Sequence, residues 1–93
     1  MDSEESDQPF ALPITDVLDL HSVPPRDVVE VVQAWLEEVK ARNFKALRIV
    51  HGRGIGVQRE IVRAILSSDP NVNAFADAPA EAGGWGATVV TLR

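Results

Sequence analysis

Two histidines, one aspartate and one arginine carry the chemistry that this 93-residue sequence can offer. Asp19 and His21 stand two apart in Leu18-Asp-Leu-His21, and His51 opens the run His51-Gly-Arg-Gly-Ile-Gly56. Histidine exchanges protons near neutrality, because its ordinary pKa is about 6.5. An aspartate beside it can orient the ring or raise its basicity. Gly52, Gly54 and Gly56 allow a backbone to approach an anion closely, since no Cβ intervenes, and Arg53 adds positive charge. A strand, a glycine loop and a helix in succession aim backbone N–H groups at a phosphate.

Together these residues suit hydrolysis of a phosphodiester. One histidine takes a proton from the attacking oxygen, the other or a water protonates the leaving oxygen, and Arg53 with the loop amides holds the phosphate. RNA is the easier substrate, because its 2′-hydroxyl is an internal nucleophile; DNA needs a positioned water. Asp19, His21 and His51 could hold one metal ion, but their spacing is not a ligand motif, so no metal or cofactor is called for. Bland alternatives stay open on the same residues: a strand-to-helix turn with incidental polar groups, an Asp19–Arg48 ion pair, a His21 that merely ends a strand.

The elements that must position these residues follow from apolar spacing. Asp16–His21 alternates as a strand, with Leu18 and Leu20 on one face and Asp19 and His21 on the other. Val23-Pro-Pro25 leads into a helix predicted from about Pro25 to Arg42, its buried face made by Val28, Val31, Val32, Trp35, Leu36 and Val39. Asn43 reads as its C-cap, with Phe44 closing back on the last turn. Ala46–Val50 is a second strand, and the glycine loop follows it. A second helix runs from Gly56 or Val57 to Ser67 or Ser68, with Ile61, Ile65 and Leu66 apolar, Val62 at the margin, and Arg59 and Arg63 on a shared solvent face that either binds the substrate or is merely solvated. Val72–Ala76 and Ala87–Leu92 are strands joined by a loop ending in Gly83-Gly-Trp-Gly86. Trp85, between glycines, either stacks on a base or lids the core, and Gly84 belongs to the same candidate binding surface.

The string is β-α-β-α-β-β. Helical crossovers make the first three strands at least partly parallel, and the short third connection makes the last two antiparallel. The expected fold class is α/β, an α+β two-layer sandwich of a mixed four-stranded sheet with two helices on one face. His21 and His51 then meet at the carboxyl ends of the first two strands, where such sheets bind ligands.

Composition bounds the rest. The 45% hydrophobic content suffices for one core, so residues 14–93 form one domain behind a tail (1–13), whose Phe10 and Leu12 suggest an extended arm. There is no cysteine and no apolar run long enough for a membrane span, and the chain reads as cytosolic, a monomer or weak oligomer. The net charge of −5 comes largely from Asp2, Glu4, Glu5 and Asp7; from Gln8 onward ten acids face nine bases. A near-neutral domain binds a polyanion only where its arginines cluster.

Leu18-Asp-Leu-His21, His51-Gly-Arg-Gly54 and Gly83-Gly-Trp-Gly-Ala-Thr-Val-Val-Thr-Leu92, in this order, resemble the Smr (small MutS-related) domain over about residues 14–93. The resemblance implies a fold like the C-terminal domain of a bacterial translation initiation factor, nucleic-acid binding, and endonuclease or nicking activity on RNA or DNA. It ties activity to Asp19 and His21 and to His51, Gly52, Arg53 and Gly54. Ser22 departs from the glycine that many members have there, and can cap the following helix. The chain resembles the short stand-alone form. The competing expectations are a non-catalytic nucleic-acid recognition module, and a protein adaptor working through the acidic tail or the Phe10 arm.

Overall fold

The computed structural model describes residues 14–54 and 56–93; the tail and the Phe10 arm lie outside them. The elements are β1 (Val17–Asp19), α1 (Val28–Ala41), β2 (Ala46–Val50), α2 (Val57–Ser68), β3 (Val72–Asp77) and β4 (Ala87–Leu92), with single 3-10 turns at Pro25–Asp27, Ala80–Ala82 and Gly84–Gly86. The strands lie in the order β1-β2-β4-β3. β1 and β2 are parallel, and β4 runs antiparallel to both β2 and β3. The first three strands therefore share a direction, as expected, but β4 lies between β2 and β3. This is the mixed four-stranded sheet with helices on one face.

Register fixes which side chains meet the helices. Leu18 pairs with Ile49, Leu47 with Val90, and Phe75 with Val90. With Leu20 and Leu92 these make the sheet's half of the core, against Val28, Val32, Trp35, Leu36 and Val39 of α1 and Val62 and Leu66 of α2. Val31 is only partly buried. Val62 is fully buried while Ile61 and Ile65 flank it, so the centre of the α2 stripe lies one residue from where the spacing put it. Ile14, where the described chain begins, packs on the same core.

β1 is three residues long rather than six. The His21 backbone N–H turns to the Asp19 carboxylate at 2.9 Å, and this Asx turn takes the chain out of the sheet just after Leu20. α1 is entered through the Pro25–Asp27 turn with no side-chain cap bond, so Ser22 does not cap it. It ends in a Schellman motif: Asn43 sits at φ 62°, its N–H reaches the Lys40 carbonyl, and the Phe44 N–H reaches that of Val39. Among the described residues no helix is long and apolar enough to cross a membrane.

Candidate functional site

The Asx turn after β1 does more than end a strand. Asp19 Oδ1 also lies 2.7 Å from the His21 ring Nδ1. A carboxylate only accepts, so Nδ1 carries the proton and Nε2 is the free acceptor of the neutral ring. The His21 backbone N–H holds the Asp19 carboxyl below its ordinary range; desolvation opposes this, and the ring bond and the ring's charge add to it. Both side chains are well exposed. His21 Nε2 faces the glycine loop: a Cβ built on Gly52 would stand 3.6 Å from it.

The loop is fastened to the start of β4. The N–H groups of His51 and Gly52 both donate to the Gly86 carbonyl, at 3.1 and 2.9 Å. Gly52 (φ 83°) and Gly56 (φ 85°) take left-handed conformations that a side chain would strain. The exposed Arg53 lies along the Gly84–Gly86 turn. A Cβ on Gly86 would come within 3.0 Å of its Cγ, and one on Gly84 within 2.9 Å of its Nη2. Glycine at 84 and 86 thus leaves the bed in which Arg53 rests. A cavity of about 150 Å³, lined by His51, Gly52, Gly54, Gly56 and the first turn of α2, opens beside the loop.

His51, the second histidine expected to exchange a proton, lies inward. It is 6% exposed. Its Nδ1–H donates to the Gly52 carbonyl at 3.0 Å, and its Nε2 accepts from the Thr88 hydroxyl at 2.9 Å. The cause is strand parity: His51 continues the inward sequence of Leu47 and Ile49, and Thr88 is the inward residue opposite Ile49. Burial lowers the His51 pKa, with the Gly52 carbonyl bond opposing. The ring is held beneath the loop through both of its nitrogens.

Arg59 and Arg63 share an acidic partner. They do not form a solvated face, because both fold onto Asp77 Oδ1, at 2.8 and 2.5 Å. Arg59 lies over the Trp85 ring, and Arg63 over Phe75, each 5.4 Å from the ring centre. Arg59 holds the Asp77 carboxyl below its ordinary range. Trp85 is 44% exposed and does not lid the core. The Asp19–Arg48 alternative fails: Arg48 donates to the Ala82 carbonyl.

Asp19, His21, Gly52, Arg53, Gly54, Gly56, Gly84, Trp85 and Arg59 therefore gather along the carboxyl ends of β1 and β2, with Arg63 behind them. Thr88, Gly86 and Asp77 belong to the same construction and were missed. Thr88 carried a signal, a hydroxyl on the inward side of an otherwise apolar strand; Asp77 carried none. Among the described residues no three histidine, cysteine, aspartate or glutamate side chains converge to hold a metal ion.

The family model for the Smr domain matches residues 18–93. Endonuclease MutS2 of Thermus thermophilus is 41% identical over 76 residues, 82% of this chain, and that of Streptococcus uberis 36% over 75 residues, 81% of this chain. The matched region is 10% of the length of each of these relatives. The crystal structure of the Smr domain of T. thermophilus MutS2 superposes with a TM-score of 0.79 at 39% identity, covering 85% of this chain and 99% of that one. YdaL, a stand-alone small MutS-related protein from Escherichia coli, gives 0.74 at 28% identity, covering 87% of this chain and 66% of that one. With the fold, the three motifs and the family model in agreement, this chain belongs to the Smr domain family.

Proposed function

We propose that this domain binds nucleic acid across the carboxyl ends of β1 and β2 and cleaves a phosphodiester there, in RNA or DNA. The observation that carries the proposal is the His21 ring, fixed at Nδ1 by Asp19 and offering Nε2 to the glycine loop. His21 takes the proton from the attacking oxygen, Asp19 stabilises the imidazolium that forms, and Arg53 with the loop amides holds the phosphate. His51 props the loop instead of exchanging the second proton, so a water protonates the leaving oxygen. That economy again favours RNA, whose 2′-hydroxyl is already placed. Relatives named as endonucleases support the reaction class.

The test is cleavage of an end-labelled hairpin RNA and its DNA analogue, in Mg²⁺ and in EDTA. His21→Ala is expected to reduce cleavage at least 100-fold with binding retained, and Asp19→Asn to reduce it less. Unchanged cleavage in the Asp19→Asn, His21→Ala double variant sinks the assignment. A second reading, recognition without cleavage, is favoured by the single solvent-facing histidine. It predicts Arg53-dependent binding and no product under any condition.

A further inference from the structure

We propose that Trp85 is a stacking platform for an unpaired base, so that the strand presented to His21 is single-stranded, or locally unpaired, beside the phosphate held by Arg53. This rests on the nucleic-acid reading above and adds the structural class of the substrate. Three observations carry it. The first is exposure: a tryptophan 44% open to solvent sits at the site, while the other tryptophan, Trp35, is 1% exposed in the core. The second is preparation of the ring. The Arg59 guanidinium backs it at 5.4 Å, and Arg59 is itself held by Asp77, so the ring is braced without a ligand. The third is placement. The Trp85 ring edge lies 4.0 Å from a Cβ built on Gly56, at the far end of the glycine loop from His21, and Arg53 lies along the turn that bears Trp85.

A base in a duplex has its faces covered by its neighbours and cannot use such a ring; an unpaired one can, whatever its identity. Phosphate on Arg53 and base on Trp85 are the two contacts a single-strand groove requires. His21 stands at the Gly52 end of the loop and Trp85 at the Gly56 end, which places the stacked base to one side of the cleaved bond.

The chain reports on this directly, because Trp85 is its only exposed tryptophan. The full chain is titrated with a short oligothymidylate, a blunt duplex, and the same duplex with one unpaired thymine, following tryptophan fluorescence. The oligothymidylate and the interrupted duplex are expected to quench Trp85 and to bind about 5- to 150-fold more tightly than the blunt duplex, the range base–aromatic stacking gives. Trp85→Ala should abolish that preference and Trp85→Phe keep most of it, with Trp35 emission in both variants reporting an intact core. Equal affinity and equal quenching for the blunt duplex overturns the proposal, as does an undiminished preference in Trp85→Ala. Failure of every probe to bind removes the nucleic-acid reading as well. His21-dependent cleavage of the blunt duplex with Trp85 unquenched removes the platform alone.

Discussion

At the residue scale, the two histidines show how one side-chain type takes two parts from its surroundings. His21 is exposed, with one nitrogen assigned by a carboxylate and the other free; His51 is buried, with both nitrogens bonded inside the protein. Burial lowers the His51 pKa in the folded state. The unfolded chain therefore binds the proton more readily, and stability falls as pH drops from above the ordinary histidine value, about 6.5, towards the lowered one. The carboxylates held low, Asp19, Asp69 and Asp77, lose their contribution only below their ordinary 3.8. Thermal melts at pH 7.5 and 5.5 separate these groups. The wild type is expected to lose melting temperature across this interval, and His51→Gln to start lower and lose less; equal losses would show that His51 is not the group responsible. The chemistry-bearing residue types were legible in the sequence. The burial of His51 was not read, although it follows from parity: a residue two beyond Ile49 keeps facing the core even after the strand's last ladder bond.

At the scale of elements, β2, α1 and β4 could be read because each has an unbroken apolar period and a clear stop, Asn43 for α1 and the glycines for β2. β1 was overestimated because Asp19 bonds to the backbone two residues on, a local competitor that alternation does not register. The Arg59–Asp77–Arg63 contact joins side chains 14 to 18 residues apart through the packing of α2 on β3, and no local pattern announces it. The centre of α2 was misplaced by one residue for a similar reason: Val62 faces the sheet while Ile61 and Ile65 flank it. Val62→Ala should therefore cost about 2 kcal/mol, a fall of roughly 10 °C in melting temperature for a domain of this size, measurable by calorimetry. The join between glycine loop and β4 makes a finer prediction. A methyl at Gly86 meets Arg53 Cγ at 3.0 Å, and Gly86 has no positive φ, so Gly86→Ala displaces Arg53 without straining the backbone. Binding of an oligonucleotide should weaken in Gly86→Ala but not further when Gly86→Ala is added to Arg53→Ala. Additive losses would mean that Gly86 acts through the loop, not through Arg53.

At the scale of the whole molecule, the question is how a domain with nearly balanced charge holds a polyanion. From Gln8 onward acids outnumber bases by one, so any attraction must be local. At the site the positive groups are Arg53 and the Arg59–Arg63 pair, and Asp77 cancels one charge of that pair. Asp77 serves two ends that oppose each other. It holds Arg59 beneath Trp85, which prepares the stacking surface, and it reduces the charge available to phosphate. Replacing it by asparagine keeps an acceptor oxygen for the guanidiniums but removes the competing charge. Asp77→Asn should bind an oligonucleotide more tightly at low salt. The slope of log K against log salt concentration should steepen by about 0.7–0.9, the increment for one further phosphate neutralised. Because the amide still braces Arg59, the preference for an unpaired base should persist. Anisotropy titrations of a labelled oligonucleotide across a salt series, wild type against Asp77→Asn, measure both quantities. An unchanged slope would mean that Arg59 and Arg63 only fasten α2 to β3, leaving Arg53 and the loop amides as the whole anion site. A steeper slope with the preference lost would mean that the carboxylate charge, and not merely its hydrogen bonds, keeps Arg59 under the ring.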